Sequence, residues 1–100
     1  MYILDRSITG QVAQGDITIT AVKKAPSGEE IAPSGGQLIA AHSETGHHHS
    51  VNSTVARLVR GEDPLTCYLH VDGDFADLVH HRDVNPHETI RLPKGDYRIR

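Results

Sequence analysis

A chain of 100 residues, 37% of them hydrophobic, is sized for one domain with a modest core. Its formal charge of −3, with histidine neutral, gives no electrostatic case for nucleic acid or an anionic membrane as partner. The single cysteine, Cys67, rules out an internal disulfide and a cysteine-rich zinc site, and no run of residues has the length and apolarity of a membrane-spanning helix.

The chain opens on Met1-Tyr2-Ile3-Leu4-Asp5, which lacks the basic and long apolar regions of a signal peptide and predicts a cytoplasmic protein. Tyr2, Ile3 and Leu4 are placed to add a short strand to a partner, and so are interface candidates. Asp16 to Val22 alternates, with Ile17, Ile19 and Ala21 on one face, and predicts a strand. From 23 to 36 the pattern breaks: Ala25-Pro26-Ser27-Gly28 recurs as Ala32-Pro33-Ser34-Gly35, the chemistry of an exposed loop or arm. Gln37 to His42 is a short apolar strand, and Ser50 to Val59 another, bent near Asn52-Ser53. Gly61-Glu62-Asp63-Pro64 turns the chain.

Leu65, Cys67, Leu69 and Val71 then alternate with polar residues, which makes this the cleanest strand and Cys67 a core residue rather than a nucleophile. Asp72-Gly73-Asp74 is expected as a hairpin turn, with Phe75 to His81 the returning strand or, alternatively, a short helix capped by Asp74. Pro93-Lys94-Gly95-Asp96 is expected as a second hairpin turn, between Thr89–Leu92 and Tyr97–Arg100. Arg98 and Arg100 share a face of that last strand and are candidates for contact with an acidic partner. Together these predict a single all-β domain over 1–100: a small sandwich or partly open barrel of short antiparallel strands, with the Pro/Gly/Ser-rich loop at 23–36.

Eight histidines are the chemical signature, three of them consecutive at His47, His48 and His49. Imidazole is the commonest side-chain metal ligand and titrates near neutral pH, so full protonation would carry the formal charge from −3 to +5. On an extended chain His47 and His49 share a face, and a His-x-His pair starts a metal site. A closed zinc site needs four ligands and a catalytic one three plus water, which His80 and His87 would supply if the strand carrying His80 lies beside the one carrying His47. The competing reading is a cluster of exposed or hydrogen-bonded histidines, with Glu44 and Asp83 as nearby partners.

The segments Thr45-Gly46-His47-His48-His49, Leu78-Val79-His80 and His87 through Leu92-Pro93-Lys94-Gly95-Asp96-Tyr97 resemble a group of small β proteins from bacteria and their phages. The resemblance covers roughly the last 60 residues plus the strand at Gly15 to Val22. It matches at His47, His49, His80 and His87, and favours those four over His42, His48 and His70. No activity comes with it. This chain departs from the group in the extra residues between His80 and His87. Cupins also carry a His-x-His, but their following Glu has no counterpart nearer than Glu62, so that likeness is one of fold alone.

Two function classes follow. One is a non-enzymatic structural module that needs no cofactor, self-associates (a trimer is favoured) and binds a larger protein assembly. The phage resemblance makes this a capsid decoration or cement protein, located on the virion. The other is a small cupin-like metalloenzyme or metal-binding domain, with His47, His49, His80 and His87 holding zinc or another divalent transition metal.

Overall fold

The strand that Cys67, Leu69 and Val71 begin does not turn at Asp72. In the computed structural model, which describes residues 2–7, 10–42, 48–80 and 89–100 (the backbone alone at 41, 42 and 48), it runs unbroken from Cys67 to His80. We number the strands in chain order: β1 Tyr2–Ile3, β2 Gln11–Gln14, β3 Ile17–Val22, β4 Gln37–His42, β5 His48–Asn52, β6 Ala56–Arg60, β7 Cys67–His80 and β8 Ile90–Ile99. The described residues form no helix, and the all-β class read from the sequence holds.

The two expected hairpin turns are the two sides of one bulge. β7 and β8 pair antiparallel, and between Val71↔Gly95 and Phe75↔Pro93 the register advances four residues on β7 against two on β8. Asp72-Gly73-Asp74, three residues set against Lys94 alone, arch out of the ladder and are held from outside: the Asp72 and Gly73 N–H groups both donate to the Val55 carbonyl, at 2.8 and 3.2 Å. Across the ladder Gly95 takes φ +141°, and a Cβ there would stand 2.7 Å from the Arg6 guanidinium carbon. The inward face switches parity at the bulge. Cys67, Leu69 and Val71 point inward before it, and Ala76, Leu78 and His80 after it; Ile90 and Leu92 answer Tyr97 and Ile99 on β8.

This bent ladder organises the sheet. β6 pairs the first half of β7 and β5 the second, while β3 pairs one end of β8 and β1 the other. β2 extends the sheet beyond β3, and β4 extends it beyond β5. The β1–β8 pair is parallel; the remaining strand pairs are antiparallel. The sheet is not closed into a barrel: among the described residues no strand pairing joins β2 to β4 or β5. The inward side chains form a core cluster that includes Ile19, Leu58, Leu69, Leu78, Leu92 and Tyr97. Tyr97 is buried whole, and its hydroxyl donates to the Pro93 carbonyl at 2.5 Å.

Residues 23–36 are mostly exposed, and they lie along β6: Arg60 N–H donates to Glu29 O and Ile31 N–H to Leu58 O. Leu65, expected to share the inward face of Cys67, is 82% exposed because the chain is still in the 61–66 turn there. The N-terminal segment pairs with the chain's own β8 rather than waiting for a partner. Leu4, an expected interface residue, is consequently in the core.

Candidate functional site

The β2–β3 turn packs onto β5 and β7, across the open side of the sheet. Gly15 occupies it with φ +57°, a conformation that suits glycine. Space requires glycine as well: a Cβ there would lie 2.6 Å from His80 Cε1. The turn therefore presses its backbone directly onto a pair of histidine rings on β5 and β7.

Those rings belong to His49 and His80, cross-strand partners in the β5–β7 register. Both are buried, and they stack with centroids 4.1 Å apart and planes 10° from parallel. Gln14, buried at the end of β2, orients the first of them. Its amide nitrogen donates to the Leu78 carbonyl at 2.9 Å, which leaves its oxygen to face His49 Nδ1 at 2.8 Å. An amide oxygen only accepts, so Nδ1 carries a hydrogen. His49 Nε2 faces Asp16 Oδ1 at 3.2 Å. That hydrogen bond is the main cause holding the Asp16 carboxyl below its ordinary value of 3.8; its slight burial opposes this, and its own backbone N–H and the two imidazoles add to it.

Of the four histidines singled out in the sequence, the structure brings together His49 and His80; His47 and His87 lie outside the described residues. Ring-nitrogen lone pairs lie in the ring plane, so two stacked rings do not converge on one ion, and both nitrogens of His49 already face Gln14 and Asp16. Among the described residues no three His, Cys, Asp or Glu side chains are grouped to hold a metal. What this arrangement does is seal a seam: β2 and its turn are hydrogen-bonded and stacked onto β5 and β7.

His70 sits elsewhere, on the outer side of β7. Its Nε2 faces Asp72 at 2.7 Å, and its Nδ1 faces Asp96. Burial works to raise the Asp96 pKa, but the Ala25 N–H, the His70 ring and Arg6 outweigh it and hold the carboxyl below its usual range. Cys67 is a core thiol, as expected from its alternation: desolvation pushes its pKa to about 11, and its Sγ donates to the Ala40 carbonyl at 3.3 Å. Arg100 braces its own chain, donating to Thr66 Oγ1 and Asp63, while Arg98 is half-buried on β8.

A second constellation lies on the outer face of β1, β8 and β7; the sequence reading singled out its Ile3 but missed the grouping. Ile3, Arg91 and Asp77 form one row across the three strands, with Pro93 and Phe75 in the next. Arg91 binds Asp77 through both carboxylate oxygens, at 2.9 and 3.1 Å, and its guanidinium carbon lies 3.7 Å above the Phe75 ring centre. Ile3 is 60% exposed and Phe75 42%. The sequence signal was present in Phe75, Asp77 and Val79 alternating with Ala76 and Leu78; the expected turns at 72–74 and 93–96 hid that Arg91 stands opposite Asp77.

An open groove of about 960 Å³ lies at the other end of the ladder, among Ile31, Ile39, Ala40, Leu65 and the 60–64 turn.

A family model described as a domain of unknown function (DUF8820) matches residues 13–100. No curated protein and no solved structure matches the chain.

Proposed function

The chain belongs to the DUF8820 family, and we propose that it works as a non-enzymatic structural module that self-associates and joins a larger protein assembly. The observation that carries this reading is the outer face of β1, β8 and β7. It exposes Ile3 and Phe75 side by side with an arginine whose charge Asp77 already meets. An exposed aromatic stacked on an arginine, with a further apolar side chain beside it, is the make-up of a protein-binding hot spot. The described histidines support the same reading, since His49 and His80 join strands of the fold.

The most concrete form of this function is decoration of a phage capsid. That step rests on the sequence resemblance to small phage β proteins, and places the protein on the virion exterior. Cementing an icosahedral shell asks for a small rigid domain with an exposed contact face.

Native mass spectrometry of the untagged protein, with and without a chelator, tests the reading. The expected result is an oligomer of unmodified mass that the chelator leaves unchanged. A monomer carrying one metal ion per chain, lost to the chelator, would overturn it in favour of the metalloprotein.

A further inference from the structure

His70 stands between two acids from different parts of the ladder. Its Nε2 faces Asp72 Oδ1 in the bulge at 2.7 Å, and its Nδ1 faces Asp96 Oδ1 on β8. A carboxylate oxygen only accepts, so each contact needs a hydrogen on the ring nitrogen. Both acids are carboxylates: Asp96 is held below its usual range, and the second oxygen of Asp72 has Arg57 Nε at 3.6 Å. A ring that donates from both nitrogens is an imidazolium. A neutral ring has one N–H and turns a lone pair towards its second partner. His70 therefore holds both carboxylates only while it is protonated.

The two acids are not equally free to leave. Asp96 is buried; its Oδ2 accepts from the Ala25 N–H at 2.6 Å, and its backbone carbonyl accepts from Arg6 at 3.0 Å. Asp72 is exposed, and its other neighbour, Arg57, is the cross-strand partner of His70 on β6. The charged groups around the ring are thus Asp72 and Asp96 at its nitrogens, Arg57 across on β6 and Arg6 behind Asp96; β3 brings only the apolar Val22 beside Asp96.

We propose that His70 is a pH-sensitive tie between the bulge and β8: protonated, it binds Asp72 and Asp96 together, and on losing its proton it keeps Asp96 and lets Asp72 go. The bulge is then left to Arg57 and to its two hydrogen bonds with the Val55 carbonyl. Imidazole titrates near neutral pH, so the tie parts as pH rises through that range. Asp72-Gly73-Asp74 leads directly into Phe75, so the tie steadies the segment that enters the exposed face of β1, β8 and β7. The tie does not depend on what that face binds.

The test follows ring and bulge together. In the isotopically labelled protein, NMR tracks the His70 ring signals and the 15N heteronuclear NOE of the Gly73 and Asp74 amides between about pH 5.5 and 8.5. The expected result is an NOE at Gly73 and Asp74 that falls as the His70 ring loses its proton, with one shared midpoint. The NOE at Ala25 holds steady, because Asp96 keeps its partners. His70→Gln, which does not titrate, should give values that do not change with pH. Asp72→Asn is the sharper variant: its amide accepts from a protonated Nε2 through oxygen, or donates to a bare one through nitrogen, so the bulge stays tied across the range. It alters an exposed side chain, which keeps the test open if His70→Gln fails to fold; circular dichroism checks both. An NOE that stays level in the wild type while His70 titrates would overturn the tie, as would a fall that persists in either variant. A His70 ring that keeps one protonation state across the range would overturn it too.

Discussion

His49 and His80 face each other across the β5–β7 ladder as stacked rings, 4.1 Å apart, under the backbone of Gly15. Among the described residues, this side-chain contact joins β2 and its turn to β5 and β7.

Gln14 is the residue that holds the seam in register. Gln14→Leu keeps the volume but leaves His49 Nδ1 and the Leu78 carbonyl without the partners they have now. The expected cost is roughly 3 kcal/mol, read as a shift in the urea midpoint. Amide exchange should quicken in β2 and β3 ahead of β7 and β8.

Gly15→Ala meets two penalties at one position: φ +57° is strained for alanine, and its Cβ would collide with the His80 ring. A loss of about 2 kcal/mol is expected, seen as a lowered thermal midpoint. Gly35 has the same φ of +57° with no atom within 4 Å of its would-be Cβ, and substitution there should cost only the backbone part. Equal losses at the two glycines would contradict a ring pressed against Gly15.

The acid limb of stability follows from Asp16. Its carboxyl titrates below 3.8 when folded, with the His49 hydrogen bond as the chief cause. The unfolded chain therefore takes up the proton first as pH falls. The stabilisation is complete above the unfolded value and is lost as pH drops through the lower, folded one. Urea unfolding across pH 2 to 6 should show that loss in the wild type, and Asp16→Asn should reduce it, leaving the part that Asp63 and Asp96 carry.

Cys67 should resist thiol reagents in the folded state, because its pKa stands near 11 and its side chain is buried. Labelling should track unfolding in rising urea. Rapid labelling of the native protein would place the thiol outside the core.

The local alternation of β3 and of Cys67 to Val71 was legible because each strand has one buried and one open face, which writes a period of two into the sequence. The bulge was not. Asp-Gly-Asp and Pro-Lys-Gly-Asp carry the glycines and aspartates that make turns, and a bulge asks for the same residues. Only the pairing of Val71 with Gly95 and of Phe75 with Pro93 tells the two apart, and that pairing is not local. His49 and His80 were legible as special residues, but their relationship was not. A metal site and a stack use the same imidazoles, and the deciding partner is Gln14, the second glutamine of a short strand that no motif marks.

The most direct test of the central claim, that the outer face of β1, β8 and β7 is covered by protein when the module works, is hydroxyl-radical footprinting of Phe75 and Ile3 over a range of protein concentrations. Leu65, 82% exposed at the far end of the ladder, is the internal reference. The account predicts that oxidation of Phe75 and Ile3 falls as concentration rises while that of Leu65 holds steady. Oxidation of all three that stays level across the range would contradict it.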